Sequence, residues 1–442
     1  MGRGLVREWV RAGWAERPLR LDAVLYAVCT AYALALALTD KHYGFRVWAC
    51  FAAVGYGLAF AHTCWLSLTT NRPGWWRSRW TSFGVVAVVG MVAPLVTLLL
   101  TRLRGGDWAA APGAWSAQPE VWVIERSASL LLDTGTPYVD VTALGRPPEV
   151  NDYTPYGPVM AVFGLPRAVL GGTAVGDVLT DARLYFALTA ALCLWGGLRL
   201  LGRPRVPVRA AQLVVVFPLT ALTFATAGPD LAIVGLLVLA CALAADRPGW
   251  SAFVLALVTS AKLIVAPAVV VLLALVLVRL GGRAAARYAL VFLAGCAAVN
   301  VPVLLVDPGA FVEHVLRFPA GLGAVSSPAA SPLPGHLIAS AGGAGKLLAF
   351  GLLGAAAVAI LAWLVRRPPR TGADALLRIA AGLGAFTMLT PATRFGYLVY
   401  PVVLLGAMLC FPGRPAAPPG AAESGSGTAS ETGPSDTRLT SS

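Results

Sequence analysis

The feature that most constrains this chain is a succession of long apolar runs along its 442 residues. They lie near 22–39, 47–69, 82–101, 183–200, 209–226, 230–245, 250–279, 288–306, 346–365, 375–390 and 396–412. Runs of roughly 20 apolar residues suit helices that cross a hydrocarbon core about 30 Å thick, because a helix satisfies its own backbone polar groups where no water is present. Charged residues make up only 12% of the chain and hydrophobic ones 57%. That charged share is about half of what a soluble domain carries, so a soluble globular enzyme and a disordered chain are both excluded. The expectation is an all-α, polytopic transmembrane bundle of about 12 spans.

The net charge of +13 reads as membrane orientation rather than nucleic-acid binding, since Lys and Arg collect on the cytoplasmic side. The stretch 250–279 decides the count. It carries Lys262 and Pro267 near its middle, and one long span would bury the ammonium in lipid at high cost. Two short helices meeting at Lys262 place it at the far interface. With the N-terminus inside and this hairpin in place, 22 of the 34 Lys and Arg but only 8 of the 21 acids fall on the inner side. Both termini are then cytoplasmic. Arg3, Arg7, Arg11, Arg17 and Arg20 precede the first run, which reads as an uncleaved helix. Trp75, Trp76 and Trp80 beside Arg72, Arg77 and Arg79 read as an interfacial aromatic belt. Residues 1–412 form the expected membrane domain. Within it, 102–157 is a large extracytoplasmic loop, 158–175 an interfacial helix interrupted by Pro166-Arg167, and 307–345 a second outer loop. The Pro, Gly, Ala, Ser and Thr-rich segment 413–442 reads as a disordered cytoplasmic tail. The seven cysteines sit in or beside apolar runs and read as small hydrophobes.

Soluble-enzyme motifs are lacking. Gly342-Gly343-Ala344-Gly345-Lys346 resembles part of a phosphate loop, but Leu347 follows where Ser or Thr is needed. The four histidines are too scattered to suggest a metal, and no cofactor is expected. The informative pattern is positional: on this topology Glu120, Glu125, Arg126, Asp230, Lys262, His314, Arg317 and Arg394 converge on the outer face. Acids and bases around an outer cavity suit an enzyme at the membrane surface, and they suit a transporter mouth. Plainer roles exist for each. Asp230 after Gly228-Pro229 fits a first-turn helix acid, Lys262 can snorkel, Glu125 and Arg126 can be solvated, and Arg394 can anchor an interface.

The segment from Gln118 to Tyr138, followed by Asp152-Tyr153-Thr154-Pro155-Tyr156-Gly157-Pro158, resembles the integral-membrane glycosyltransferases of the GT-C class, in particular the polyprenyl-phosphate-mannose-dependent mannosyltransferase-like family 87. The resemblance continues at Gly228-Pro229-Asp230, at Ala261-Lys262 with Pro267, and from Pro391 to Tyr397, and so covers about 20–412. It departs where that family's usual catalytic Asp is replaced, the matching position being Glu120 with Glu125 as competitor, and where the Tyr-Pro-Pro turn reads Tyr156-Gly157-Pro158.

The resemblance implies transfer of a hexose, mannose above all, from a polyprenyl-phosphate donor to a glycolipid or glycan acceptor at the outer face of a bacterial-type plasma membrane, by an inverting single displacement without a metal. It implies Glu120 or Glu125 as the general base. Lys262 and Arg394, then Arg317 and His314, would hold the departing phosphate. Asp230, Tyr153 and Tyr156 would line the donor sugar. A transporter or lipid flippase, or a catalytically inactive homologue, is the alternative.

Overall fold

A computed structural model describes residues 18–69, 74–103, 114–326 and 328–412. Arg3 to Arg17, Arg72 and the 413–442 segment lie outside the described residues, as do residues 104–113 of the expected outer loop. The described chain is helical and has no strand, its only extended pairing being an isolated bridge between Ala330 and Thr393. This is the all-α bundle expected.

The helices are α1 Pro18–Thr39, α2 Tyr43–Leu68, α3 Arg79–Leu103, α4 Pro119–Thr134, α5 Pro158–Leu170, α6 Ala182–Leu200, α7 Val208–Thr226 and α8 Pro229–Leu243. They continue as α9 Pro248–Ala261, α10 Pro267–Leu280, α11 Gly282–Val306, α12 Pro308–Phe311, α13 Pro334–Ala339, α14 Gly343–Arg366, α15 Gly372–Leu389 and α16 Val399–Met408. Helices α4, α5, α8, α9, α10, α12 and α13 all begin on proline. A first-turn proline gives up no hydrogen bond and has its φ already set for a helix, so the sequence marks these starts itself.

Nine described helical segments are long and apolar enough to cross a membrane, and four shorter apolar helices accompany them. Of the short ones, α8, α9 and Phe395–Met408 coincide with expected spans, whereas α5 coincides with the expected interfacial helix. A count of twelve requires those first three to cross as well. At 14 residues α9 is only about 21 Å long, less than the hydrocarbon thickness.

The break at Lys262 reverses the chain. Ser251 meets Tyr288, Ala256 meets Cys296 and Ser260 meets Asn300, so α9 and α11 run parallel. The intervening α10, joined to α11 through Gly281 alone, packs against α11 and must return the other way.

Two large apolar cores result, with a small third cluster at Tyr138, Val303 and Ala310. Helices α1, α2 and α3 close one with the second half of α7, using Ala49, Ala52, Ala53 and Ala59 for close approach. The larger one joins α4, α5, α8, α9, α10, α15 and α16. Helices α11 and α14 are scarcely buried and present Leu290, Leu293, Leu347 and Phe350 outward, a surface fit for lipid rather than water. Trp75 and Trp76 stack, exposed, at 3.6 Å, in keeping with an aromatic belt.

Candidate active site

Four helix ends meet on one side of the larger core. The start of α4 is pinned where the Gln118 N–H donates to the Thr226 carbonyl at the end of α7, and its first turn carries Glu120. Gly228, at φ +95°, caps α8, and a Cβ there would press 2.8 Å from the Phe186 ring; Asp230 follows in the first turn. Lys262 ends α9 in extended backbone. Arg394 precedes the 3₁₀ turn that leads into α16, and it is held extended by Thr393, whose N–H donates to Ala329 and whose carbonyl accepts from Ser331.

These ends bring opposite charges together. Arg394 pairs with Glu120, and Lys262 pairs with Asp230. The Tyr400 hydroxyl donates to the same Asp230 carboxylate at 2.5 Å. The Lys262 ammonium lies 4.8 Å from the Tyr397 ring, 5.6 Å from Tyr156 and 5.8 Å from Tyr400, within cation–π range of all three. The two ion pairs belong to one electrostatic set, since Glu120 acts on both Lys262 and Tyr156. Exposure is graded: the Lys262 and Asp230 side chains are 10% and 14% exposed, those of Arg394 and Glu120 39% and 22%. The Glu120–Arg394 pair therefore forms the open end.

Tyr156 reaches Lys262 because the chain before it is pinned on all sides. The Arg126 guanidinium donates to the Asp152 carbonyl at 3.0 Å, Ser127 meets Thr154 at 3.2 Å, and the Tyr138 hydroxyl donates to the Tyr156 carbonyl at 3.1 Å. The Gly157 N–H donates to Ala261 at 2.9 Å. Any side chain at Gly157 would put a Cβ 2.1 Å from the Ser260 carbonyl oxygen, which is why glycine stands between Tyr156 and Pro158. Asp152 is held by two 2.8 Å bonds from Arg146 and by the Glu149 N–H. Burial pushes its carboxyl up, but those donors outweigh burial and hold it below the usual range.

The remaining expected residues lie in two other clusters. Glu125 sits about 140° around α4 from Glu120. It takes two bonds from Arg102 at 3.0 and 2.5 Å and the Ala182 N–H at 3.1 Å. Arg102 also binds Asp181, which pairs with Arg183, so four charges are buried together.

His314 is fully buried. Its Nδ1 accepts from the Thr154 N–H at 2.9 Å and its Nε2 faces the Val139 carbonyl at 2.8 Å. A backbone N–H must donate and a carbonyl must accept, which assigns the neutral tautomer with the proton on Nε2. Both ring nitrogens are thereby occupied. Tyr153 stacks on Phe318 at 4.2 Å and donates to Glu313, which also pairs with the mostly exposed Arg317 at 3.3 Å.

The structure thus brings together Glu120, Arg394, Asp230, Lys262 and Tyr156, and sets Glu125, His314, Arg317 and Tyr153 apart from them. Tyr397 and Tyr400 join the site without being among the residues expected from the sequence. Tyr397 lay in a recognised motif, and the three-residue step to Tyr400 puts both on one helical face. The Arg102–Asp181–Arg183 cluster carried no sequence signal, because its members stand at the ends of unrelated runs.

A family model described as glycosyltransferase family 87 matches residues 153–391, more than half of the chain. The matched span contains Tyr156, Asp230 and Lys262, while Glu120 and Arg394 lie outside it. No curated protein and no solved structure matches the chain.

Proposed function

The chain belongs to glycosyltransferase family 87, and from that premise we propose that it transfers a hexose, mannose first among the candidates, from a polyprenyl-phosphate donor to a glycolipid or glycan acceptor. The fold is of the GT-C type, set in a bacterial-type plasma membrane with both termini cytoplasmic and the reaction on the outer face. The observation that carries this reading is two carboxylate–cation pairs, Glu120 with the more open Arg394 and Asp230 with Lys262, at the meeting of four helix ends. Supporting it, α4, α8 and the Phe395–Met408 segment begin at the site, and helix N-termini favour anions.

On this reading the donor phosphate displaces Glu120 from Arg394 and binds between Arg394 and Lys262. Arg394 offers a planar fork to the phosphate oxygens, and Lys262 a point charge. The freed Glu120 carboxylate takes the proton of the acceptor hydroxyl as its oxygen attacks the anomeric carbon. The bond from that carbon to the phosphate oxygen breaks, its electron pair leaves with polyprenyl phosphate, and the configuration inverts. The second negative charge that develops on the phosphate is met by the two cations. Asp230, steadied by Tyr400, holds Lys262 in place and faces the sugar hydroxyls with Tyr156 and Tyr397. Glu125, His314, Arg317 and Tyr153 act on the scaffold rather than on substrate.

The test is transfer in reconstituted membranes, with radiolabelled polyprenyl-phosphate mannose and host lipid and glycan extract. Glu120→Gln is expected to lower the rate about 10²–10⁴-fold. Transfer unchanged in Glu120→Gln would remove Glu120 as base, and silence of the wild type across a panel of polyprenyl-phosphate sugars would overturn the activity.

A further inference from the structure

A cavity of about 220 Å³ opens at the end of α3, beside the Glu125-bearing face of α4. Leu99, Leu103 and Val178 form its apolar side, and Arg102, Asp181, Arg167 and Asp177 its polar side. Two of these charges are already spent. Arg102 and Asp181 are at most 7% exposed and bind each other at 2.6 Å, Arg102 also holding Glu125 and Asp181 also holding Arg183.

Arg167 and Asp177 differ. Their ion pair is loose, at 3.4 Å, and partly exposed. Arg167 spends a hydrogen bond on the Asp177 carbonyl rather than its carboxylate. Donors of the guanidinium and the Oδ2 of the carboxylate thus keep bonding capacity.

Arg167 lies on α5 and Asp177 on the short helix Ala174–Leu179, and the glycine turn between them is closely bonded. The Gly172 N–H donates to Asp177 Oδ1 at 2.8 Å, and Thr173 accepts from the Gly176 N–H at 3.0 Å. Gly172 stands at φ +96°, and a Cβ on Gly171 would come within 2.5 Å of the Arg167 carbonyl oxygen. Around it, Val169, Leu170, Val175 and Leu179 are exposed aliphatics, which a water-soluble ligand would not need and a membrane amphiphile would cover.

We propose that this cavity binds the headgroup of a zwitterionic phospholipid, its phosphate on Arg167 and its ammonium on Asp177, with the glycerol and upper acyl chain along Leu99, Leu103 and Val178. The adjacent pair is neutral overall, so it complements a headgroup carrying both signs better than one carrying only a negative charge. The site is separate from the Glu120–Arg394 set, and retention of lipid is read without any transfer reaction.

The full-length protein is equilibrated with mixed vesicles of phosphatidylethanolamine and phosphatidylglycerol, repurified, and its retained lipid quantified by mass spectrometry. Wild type is expected to enrich phosphatidylethanolamine about fivefold over the bulk ratio, the size of one partly exposed charge contact. Arg167→Ala and Asp177→Asn are each expected to return to the bulk ratio. Asp177→Asn keeps the acceptor for Gly172 and so spares the loop, and unchanged melting confirms that it does. Phosphatidylethanolamine enrichment that persists in Asp177→Asn, no enrichment in wild type, or enrichment of phosphatidylglycerol instead, each overturns the proposal.

Discussion

Glu120 and Glu125 stand on the same helix with the same charge, and their surroundings give them opposite fates. Glu120 is partly exposed against one arginine, whereas Glu125 is enclosed by Arg102, the Ala182 N–H and the Asp181 pair. Removing one partner of a buried pair leaves the other uncompensated, so Glu125→Ala is expected to cost about 3–5 kcal/mol. It should lower the melting temperature and the folded yield. Glu120→Gln should leave melting unchanged and lower transfer by about 10²–10⁴-fold; the reverse pattern in thermal melts of the two variants would exchange their roles. Both acids were legible as candidates in the sequence. Which one faces the cations was not, because Arg394 stands 274 residues from Glu120. His314 makes a second residue-scale prediction. Burial, helped by Arg126, outweighs the Val139 carbonyl and the Glu313 and Asp307 charges that favour the proton, and it holds the imidazole below the ordinary value of 6.5. The folded state therefore binds this proton more weakly than the unfolded state. Its contribution to stability is full above about pH 6.5 and is lost as pH falls below that. Protonation would turn Nδ1 into a donor against the Thr154 N–H and loosen the segment leading to Tyr156. Melting of wild type is expected to drop between pH 6.5 and 5 more than melting of His314→Asn, and parallel pH profiles would exclude His314 as the cause.

At the scale of elements, the site depends on where helices stop. The prolines at seven helix starts suit first-turn positions, where no hydrogen bond is given up, and the Lys262 break was readable from the sequence, because a lysine within an apolar run is costly in lipid. The close approach of the Tyr156-Gly157-Pro158 turn to the end of α9 was not, since no local pattern reports a backbone contact between distant segments. Gly157→Ala tests that contact. A Cβ 2.1 Å from the Ser260 oxygen must displace the turn, so Tyr156 should leave the Lys262 ammonium and transfer should fall at least about tenfold, for about 1.4 kcal/mol of lost transition-state stabilisation. Gly172→Ala, outside this contact, should leave the turn in place. Equal transfer by wild type and Gly157→Ala in the same vesicles would mean that the turn is not part of the site.

At the scale of the molecule, the proposed orientation sets the outer loop and the loop before α15 on opposite sides of the membrane. In a cysteine-free background, Glu149→Cys is expected to react with a membrane-impermeant maleimide in intact cells, and Arg370→Cys only after the membrane is opened; labelling of both from outside would refute twelve spans with internal termini. The helical architecture, the approximate position of the apolar runs and the reversal at Lys262 followed from the sequence alone, because hydropathy and a charge inside an apolar run act over a single span and need no partner. The pairing of Glu120 with Arg394, of Asp230 with both Lys262 and Tyr400, and the separation of Glu125 and His314 from them were decided only in the tertiary structure. Charge attraction in a low-dielectric interior depends on a few ångströms of distance, and that distance is set by how helices far apart in the chain pack against one another.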